Sequence, residues 1–393
     1  MSVLKEYVGA FESLETPFYF YDIGLLKNTI NQVKRHIDGY PFHVHYALKA
    51  NVNRRLLQEL KLAGFGADCV SGNEVKRALE SGFSRDDIVF AGVGKTDREI
   101  EYGIMEGIYA FNVESFQELE VLNEIAGKLG RTARFAMRIN PNVDAETHKY
   151  ITTGTRENKF GITVHELYEA VDRIPEMKNV EFSGLHFHIG SQIVKNEKFA
   201  DLSLKANELQ SFLFEKGFDL KDINVGGGLG IDYENPDSKS IPDFRGYFDA
   251  FKKHLELRDG QKVHFELGRS LVGQCGSLIA KVLYTKPGEG KSFLILDAGM
   301  TELIRPALYQ AYHHVENLTS NEDETALYDV VGPICETSDA FVRNHPLPLS
   351  SRGNLIAIRS SGAYAEVMSS RYNLREVAPS IFSDELSTEK VPA

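Results

Sequence analysis

Lys49 ends a short run, His43 to Lys49 (HVHYALK), whose alternation reads as a strand leading straight into a lysine. Far along the chain, Asn224 to Gly230 (NVGGGLG) is another short apolar strand, opening into a glycine cluster. An amine to bond an aldehyde and backbone N–H groups to cradle a phosphate are the two fittings that pyridoxal phosphate needs. Each also has an ordinary reading. A lysine at a strand end is commonly a solvated surface group, and a glycine cluster can be a tight turn. The strand before Lys49 reads as interior, however, and a charge at its exit needs a reason. The run Gly92 to Thr96 (GVGKT) resembles a nucleotide-binding loop, but its upstream glycine spacing is wrong.

Other residues could join this chemistry. His186 and His188 alternate along LHFHIGS and point to one side of a strand. They are a metal pair lacking a convincing third ligand, satisfied structural histidines, or, as fits better, an imidazole stacked on a cofactor ring with Ser191 near its phosphate. Glu266 stands three residues before Arg269. Its carboxylate either faces a pyridine nitrogen, keeping it protonated, or forms a salt bridge with that arginine. Arg305 and Tyr309, four apart, share a face if their segment is helical. Cys335, Glu336 and Asp339 form a polar cluster, and Tyr364 ends the run SSGAY. Each of these also fits a surface or interface contact.

Eight short apolar runs alternate with helical patterns: Val44–Ala47, Gly66–Val70, Ile88–Ala91, Ile108–Asn112, Ala133–Ile139, Phe182–His188, Ile223–Gly226 and Val263–Glu266. The rhythm predicts an α/β protein with a (β/α)8 barrel, a doubly wound sheet being the alternative. Lys49, Asp68, His188, Gly226, Gly227, Gly228 and Glu266 all fall at or just past C-terminal strand ends, the active face of such a barrel. Helices are expected after Asn51 or Asn53 and after Ser115, the latter with Glu118 placed for a capping box. The barrel is assigned to residues 22–265. Residues 266–393, with 1–21, read as a mostly β domain in which Phe18 to Tyr21 (FYFY) is a strand.

The chain has 393 residues, of which 42% are hydrophobic and 25% charged, enough for such a two-part architecture. A net charge of -12 makes it a poor binder of nucleic acid or anionic membrane. Three scattered cysteines argue against a disulfide framework and a structural zinc site. The N-terminal residues do not read as a signal peptide, and no run approaches the roughly 20 apolar residues of a membrane helix. The expectation is a cytoplasmic protein without a metal.

Taken in order, YALKAN from Tyr46, HFHIGS from His186, GGGLG from Gly226, the run from Arg305 to Tyr309, CETSD from Cys335 and GAY from Gly362 resemble the diaminopimelate decarboxylases. These are barrel-type pyridoxal phosphate enzymes related to the ornithine and arginine decarboxylases and, more distantly, to alanine racemases. The resemblance covers nearly the whole chain. It implies that Lys49 holds the cofactor, His188 stacks on its ring and Glu266 faces its nitrogen. Ser191 and the glycines from Gly226 would bind phosphate with help from Tyr364, and Asp68 is grouped with these cofactor residues. Arg269, Arg305, Tyr309, Glu336 and Tyr364 correspond to the family's substrate groups, and Cys335 to its catalytic cysteine. Because Cys335 and Glu336 reach the partner's site in the family, a homodimer with shared active sites is implied. Two departures stand out: ELGR at Glu266 replaces the usual Glu-Pro-Gly-Arg, and Arg375 is not followed by the proline often found there.

The implied reaction removes carbon dioxide from meso-diaminopimelate and leaves L-lysine, with Lys49 or Cys335 returning the proton. The far end of that substrate carries an ammonium for Glu336 and a carboxylate for Arg269 or Arg305. Ornithine lacks the far carboxylate and would leave an arginine unpaired, a mismatch worth several kcal/mol. The rival readings are another decarboxylase of basic amino acids, a cofactor-handling protein without decarboxylation, and a racemase. His148–Gly154 is a candidate lid.

Overall fold

The computed structural model describes residues 2–141 and 159–386. The lid candidate at His148–Gly154 lies outside the described residues. The chain divides into two compact units, one of Ile30–Gly230 with Asp243–Gly268, the other of Met1–Thr29, Ile231–Pro242 and Arg269–Ala393.

In the first unit, eight parallel strands pair in sequential order: Phe42–Ala47, Gly66–Cys69, Ile88–Phe90, Ala110–Val113, Ala133–Asn140, Val180–His186, Asp222–Asn224 and Lys262–Leu267. The eighth returns to the first, with Glu266 opposite His45, and closes the barrel. All eight expected strands are present, with shifted ends. The sixth begins earlier, and its pairing with the seventh ends at His186 opposite Asn224, so His188 lies just beyond the strand.

The helices begin where capping chemistry allows. Asn53, rather than Asn51, caps Arg54–Leu62 by accepting the Arg55 N–H, and Leu56, Leu57 and Leu60 bury the inner face. Ser115 accepts the Glu118 N–H at the start of Phe116–Lys128. The Glu118 carboxylate does not complete a reciprocal box. It takes the Glu114 N–H at 2.8 Å and the Lys95 ammonium at 2.7 Å.

Alternation along the eighth strand separates two environments. Phe265 points outward and packs against Phe42, Tyr247, Phe248 and Phe251, with ring centroids 5.0–5.8 Å away. His264 and Glu266 point inward. His264 belongs to a polar chain: His45 Nδ1 meets the Asp87 carbonyl at 3.0 Å, His45 Nε2 meets His264 Nδ1 at 2.8 Å, and His264 Nε2 meets Asp222 at 3.0 Å. A carbonyl only accepts, so His45 carries its proton on Nδ1. His45 Nε2 then offers its lone pair to His264 Nδ1, which donates. Burial, followed by the nearby His264, pushes the His45 pKa down to about 3, keeping that ring neutral.

The second unit is mostly β. Phe18–Tyr21 runs antiparallel to Gly276–Pro287 and parallel to Ser380–Phe382. Gly276–Pro287 also pairs with Leu355–Ile358 and Ser292–Leu296, and Thr325–Val331 with Ala340–Pro348 extends the sheet. Leu4, Phe11, Phe18, Phe20 and Ile279 form one core of this unit. Among the described residues, no helix is long and apolar enough to cross a membrane.

Phe265 is fully buried at the barrel's closing strand. Phe265→Ala should cost about 3–5 kcal/mol through lost burial and a residual cavity. Urea unfolding of the variant would show this as a lower midpoint. A loss below about 1 kcal/mol would mean that the aromatic cluster collapses to fill the space.

Candidate active site

Lys49 follows the first barrel strand within the short helical turn Leu48–Ala50. Its neighbours Leu48 and Ala50 are buried, while its own side chain is 37% exposed. Its Nζ lies 3.4 Å from Asp68 on the second strand. Burial raises the Asp68 pKa to about 6, the Glu266 charge adds to the rise, and Lys49 opposes it. Asp68 Oδ1 is buried without a hydrogen-bond partner.

Glu266 is almost fully buried and surrounded by donors. Its Oε1 accepts from Asn112 at 3.0 Å and Asn224 at 2.8 Å, and its Oε2 accepts from His186 Nε2 at 3.1 Å. Burial alone would raise its pKa. The charge and hydrogen bond of His186, with the charge of Lys49, outweigh burial and hold the carboxyl well below its ordinary range. Glu266 therefore stays ionised, and no salt bridge to Arg269 is needed to explain it. His186 acts as a donor to the carboxylate, a role that its spacing with His188 did not reveal. Asn112 and Asn224 also escaped the sequence reading. Their signal is an amide side chain at or near the C-terminal end of a buried barrel strand.

The glycine cluster is dictated by close packing. Gly226 has φ 68°, and a Cβ there would lie 2.2 Å from the Phe187 carbonyl oxygen. A Cβ on Gly227 would lie 2.0 Å from the Glu266 carbonyl oxygen. The Gly226 N–H donates to Asn224 at 2.9 Å, while the Gly227 N–H leans toward His188 Nδ1 at 3.4 Å. The Ser191 segment is stitched to the same loop, because the Ile193 N–H donates to the Gly228 carbonyl and the Gly230 N–H to the Ile193 carbonyl. His188, Ser191 and Gly226–Gly228 are thus brought together. Burial, then the charges of Lys49 and Arg138, push the His188 pKa well down, leaving a neutral ring.

Other candidates gather in the β-rich unit. Arg305 and Tyr309 do share a short helix, Arg305–Tyr309. Arg269 and Arg305 both donate to the hydroxyl of Tyr233, which the sequence reading did not single out. The Arg269 guanidinium also lies 4.9 Å from the centroid of the Tyr364 ring. Tyr364 adopts φ 59°, following Gly362, where a Cβ would lie 1.8 Å from the Val272 carbonyl oxygen. Cys335 and Glu336 are exposed, and Glu336 accepts from the Tyr372 hydroxyl at 2.7 Å. Asp339, grouped with them by sequence, is instead a buried loop anchor that accepts the Met300 and Ile334 N–H groups.

An amine beside a partly unsatisfied carboxylate, a neutral imidazole near a glycine loop, and a second carboxylate held ionised form a donor set that fits pyridoxal phosphate. Residues 24–273 match the family of pyridoxal-dependent decarboxylases over its pyridoxal binding domain. The chain belongs to that family. Within it, the chain is 54% identical over 380 residues to diaminopimelate decarboxylase of Bacteroides thetaiotaomicron, covering 96% of this chain and 98% of that relative. Two solved structures are also similar. Diaminopimelate decarboxylase from Helicobacter pylori complexed with L-lysine has a TM-score of 0.91 at 40% identity, covering 97% of this chain and 94% of that one. The enzyme from M. jannaschii in co-complex with L-lysine has a TM-score of 0.88 at 36% identity, covering 96% and 89%.

Asp68 gives a pH-dependent prediction for the cofactor-free protein. Its carboxyl titrates near 6 when folded and near 4 when unfolded, so the folded state holds an extra proton between those values. Stability contributed by that proton is present at low pH and lost as pH rises through about 6. Asp68→Asn should therefore melt above the parent at about pH 7.5, by a margin that shrinks toward about pH 5. A margin constant across calorimetric scans at both pH values would show that Asp68 does not titrate there.

Proposed function

We propose that this protein decarboxylates meso-diaminopimelate to L-lysine and carbon dioxide with pyridoxal phosphate as cofactor, as the last step in making lysine. The observation that carries the reading is the pair of guanidinium groups, Arg269 and Arg305, on one phenolic oxygen. Two such groups suit a carboxylate, which diaminopimelate has at its far end and ornithine and arginine do not. The near-full-length similarity to diaminopimelate decarboxylases supports the same choice. So do the related enzymes solved with L-lysine.

When bound, pyridoxal phosphate supplies the electron sink for the pair released as the carbon–carbon bond breaks. Lys49 would anchor it through its amine, and His188 would pack against its ring. Ser191, Gly226–Gly228 and Tyr364 would serve its phosphate, and Asp68 stands beside the Lys49 amine. Glu266, which accepts from three donors, would keep a proton on the ring nitrogen. Arg269, Arg305 and Tyr309 take the far carboxylate, and Glu336 the far ammonium. Lys49 or Cys335 returns a proton to the substrate carbon.

The exposure of Cys335 and Glu336 supports a homodimer in which each chain lends them to its partner.

Purified protein with pyridoxal phosphate should release carbon dioxide and L-lysine from meso-diaminopimelate. L-ornithine and L-arginine should react on the order of a thousandfold more slowly by kcat/KM. Comparable release from ornithine would remove the assigned role of the arginines. Lys49→Ala and Cys335→Ala should each be nearly inactive. Mixing and reassembling the two should restore up to about a quarter of the parental activity, because half the dimers then hold one intact site. Absence of any recovery would count against shared sites.

A further inference from the structure

Arg305 is 7% exposed, and its Nη1 has two partners among the described residues, both uncharged. One is the Tyr233 hydroxyl at 2.8 Å, and the other is His313 Nε2 at 2.8 Å. The opposite nitrogen of His313, Nδ1, meets the Arg359 carbonyl at 2.9 Å. A carbonyl only accepts, so the proton sits on Nδ1 and Nε2 offers a lone pair to the guanidinium. His313 is completely buried, and burial, then the charge of Arg305, push its pKa down to about 3. The ring is thus a neutral acceptor in one tautomer.

The chain of contacts closes on itself. The Arg359 guanidinium binds Asp237 at 2.8 Å and Glu316 at 2.6 Å. Asp237 lies in the segment Ile231–Pro242, which also carries Tyr233. The Tyr233 ring meets the His313 ring edge-on, with centroids 5.0 Å apart. Tyr233 accepts from both arginines and therefore sets the distance between them.

We propose that Tyr233 and His313 are positioning residues that hold Arg269 and Arg305 as a preformed receptor for one carboxylate, and so set the preference for a substrate with a carboxylate at its far end. This rests on the diaminopimelate reading above. Holding both guanidinium groups in place before binding removes the ordering cost that two flexible arginines would carry. Neither residue takes part in bond breaking, so the effect belongs in binding of the far carboxylate.

The test uses the holoenzyme. Tyr233→Phe removes only the shared oxygen. His313→Leu removes the acceptor, and His313→Gln restores one through its amide oxygen. Tyr233→Phe and His313→Leu should raise KM for meso-diaminopimelate on the order of tenfold to a hundredfold, with kcat changed by less than about threefold. His313→Gln should recover most of the loss. Calorimetric titration with L-lysine, which keeps the far carboxylate, should weaken by the same factor. Binding of cadaverine, which lacks it, should not change.

Unchanged KM and L-lysine affinity in both deleting variants would overturn the proposal while leaving the assigned reaction intact. Equal losses for L-lysine and cadaverine, unrescued by His313→Gln, would also overturn it and assign a purely structural role. Failure of the unmodified enzyme to act on meso-diaminopimelate, with intact L-lysine binding that these variants weaken selectively, would remove the reaction and keep the receptor.

Discussion

A carboxylate ionised inside a closed barrel is the constraint on which the first unit depends. An isolated charge there would cost several kcal/mol, and losing one partner of a buried pair costs about 3–5 kcal/mol. Glu266 avoids this through donors on three other strands or strand ends: Asn112, His186 and Asn224. The donors favour the ionised form of the carboxylate. The same contacts tie the fourth, sixth and seventh strands to the eighth. Chemistry and barrel geometry therefore share one set of hydrogen bonds.

The glycine loop extends this economy. Gly227 sits against the carbonyl of Glu266, and Gly226 presses on that of Phe187, so neither position has room for a side chain. Asn224 serves both sides, donating to Glu266 from its amide nitrogen and accepting the Gly226 N–H at its oxygen. One side chain thus connects the buried Glu266 carboxylate with the glycine loop.

Much of this was legible in the sequence. Eight apolar runs predicted eight strands, because a parallel barrel buries both faces of each strand. Lys49, Glu266 and the glycines stood out because a charge or a flexible backbone at a strand exit calls for an explanation. Supporting residues were harder to see. Asn112 sits in a short apolar run with no motif around it, Asn224 is overshadowed by the glycines that follow it, and their shared partner Glu266 is far away in the chain. Tyr233 is one tyrosine among 17, and His313 one histidine among 12, with significance only where the fold brings them to the arginines. The pair His186 and His188 was visible, but the division of labour between carboxylate donor and glycine-loop neighbour depends on where pairing ends.

The eighth strand carries His264 and Glu266 two residues apart on its inner face, each committed to a different set of partners. In folding terms this is a register code. A slip of one residue would turn both outward and bring Phe265 in, and a slip of two would bring a histidine among the donors that collar a carboxylate. Apolar strands offer little resistance to a two-residue slip, since one branched side chain replaces another. Here the strand must find Phe42–Ala47, more than two hundred residues upstream, with His45 opposite Glu266. The polar partners buried inside the barrel also mark the one alignment in which its longest-range seam can close.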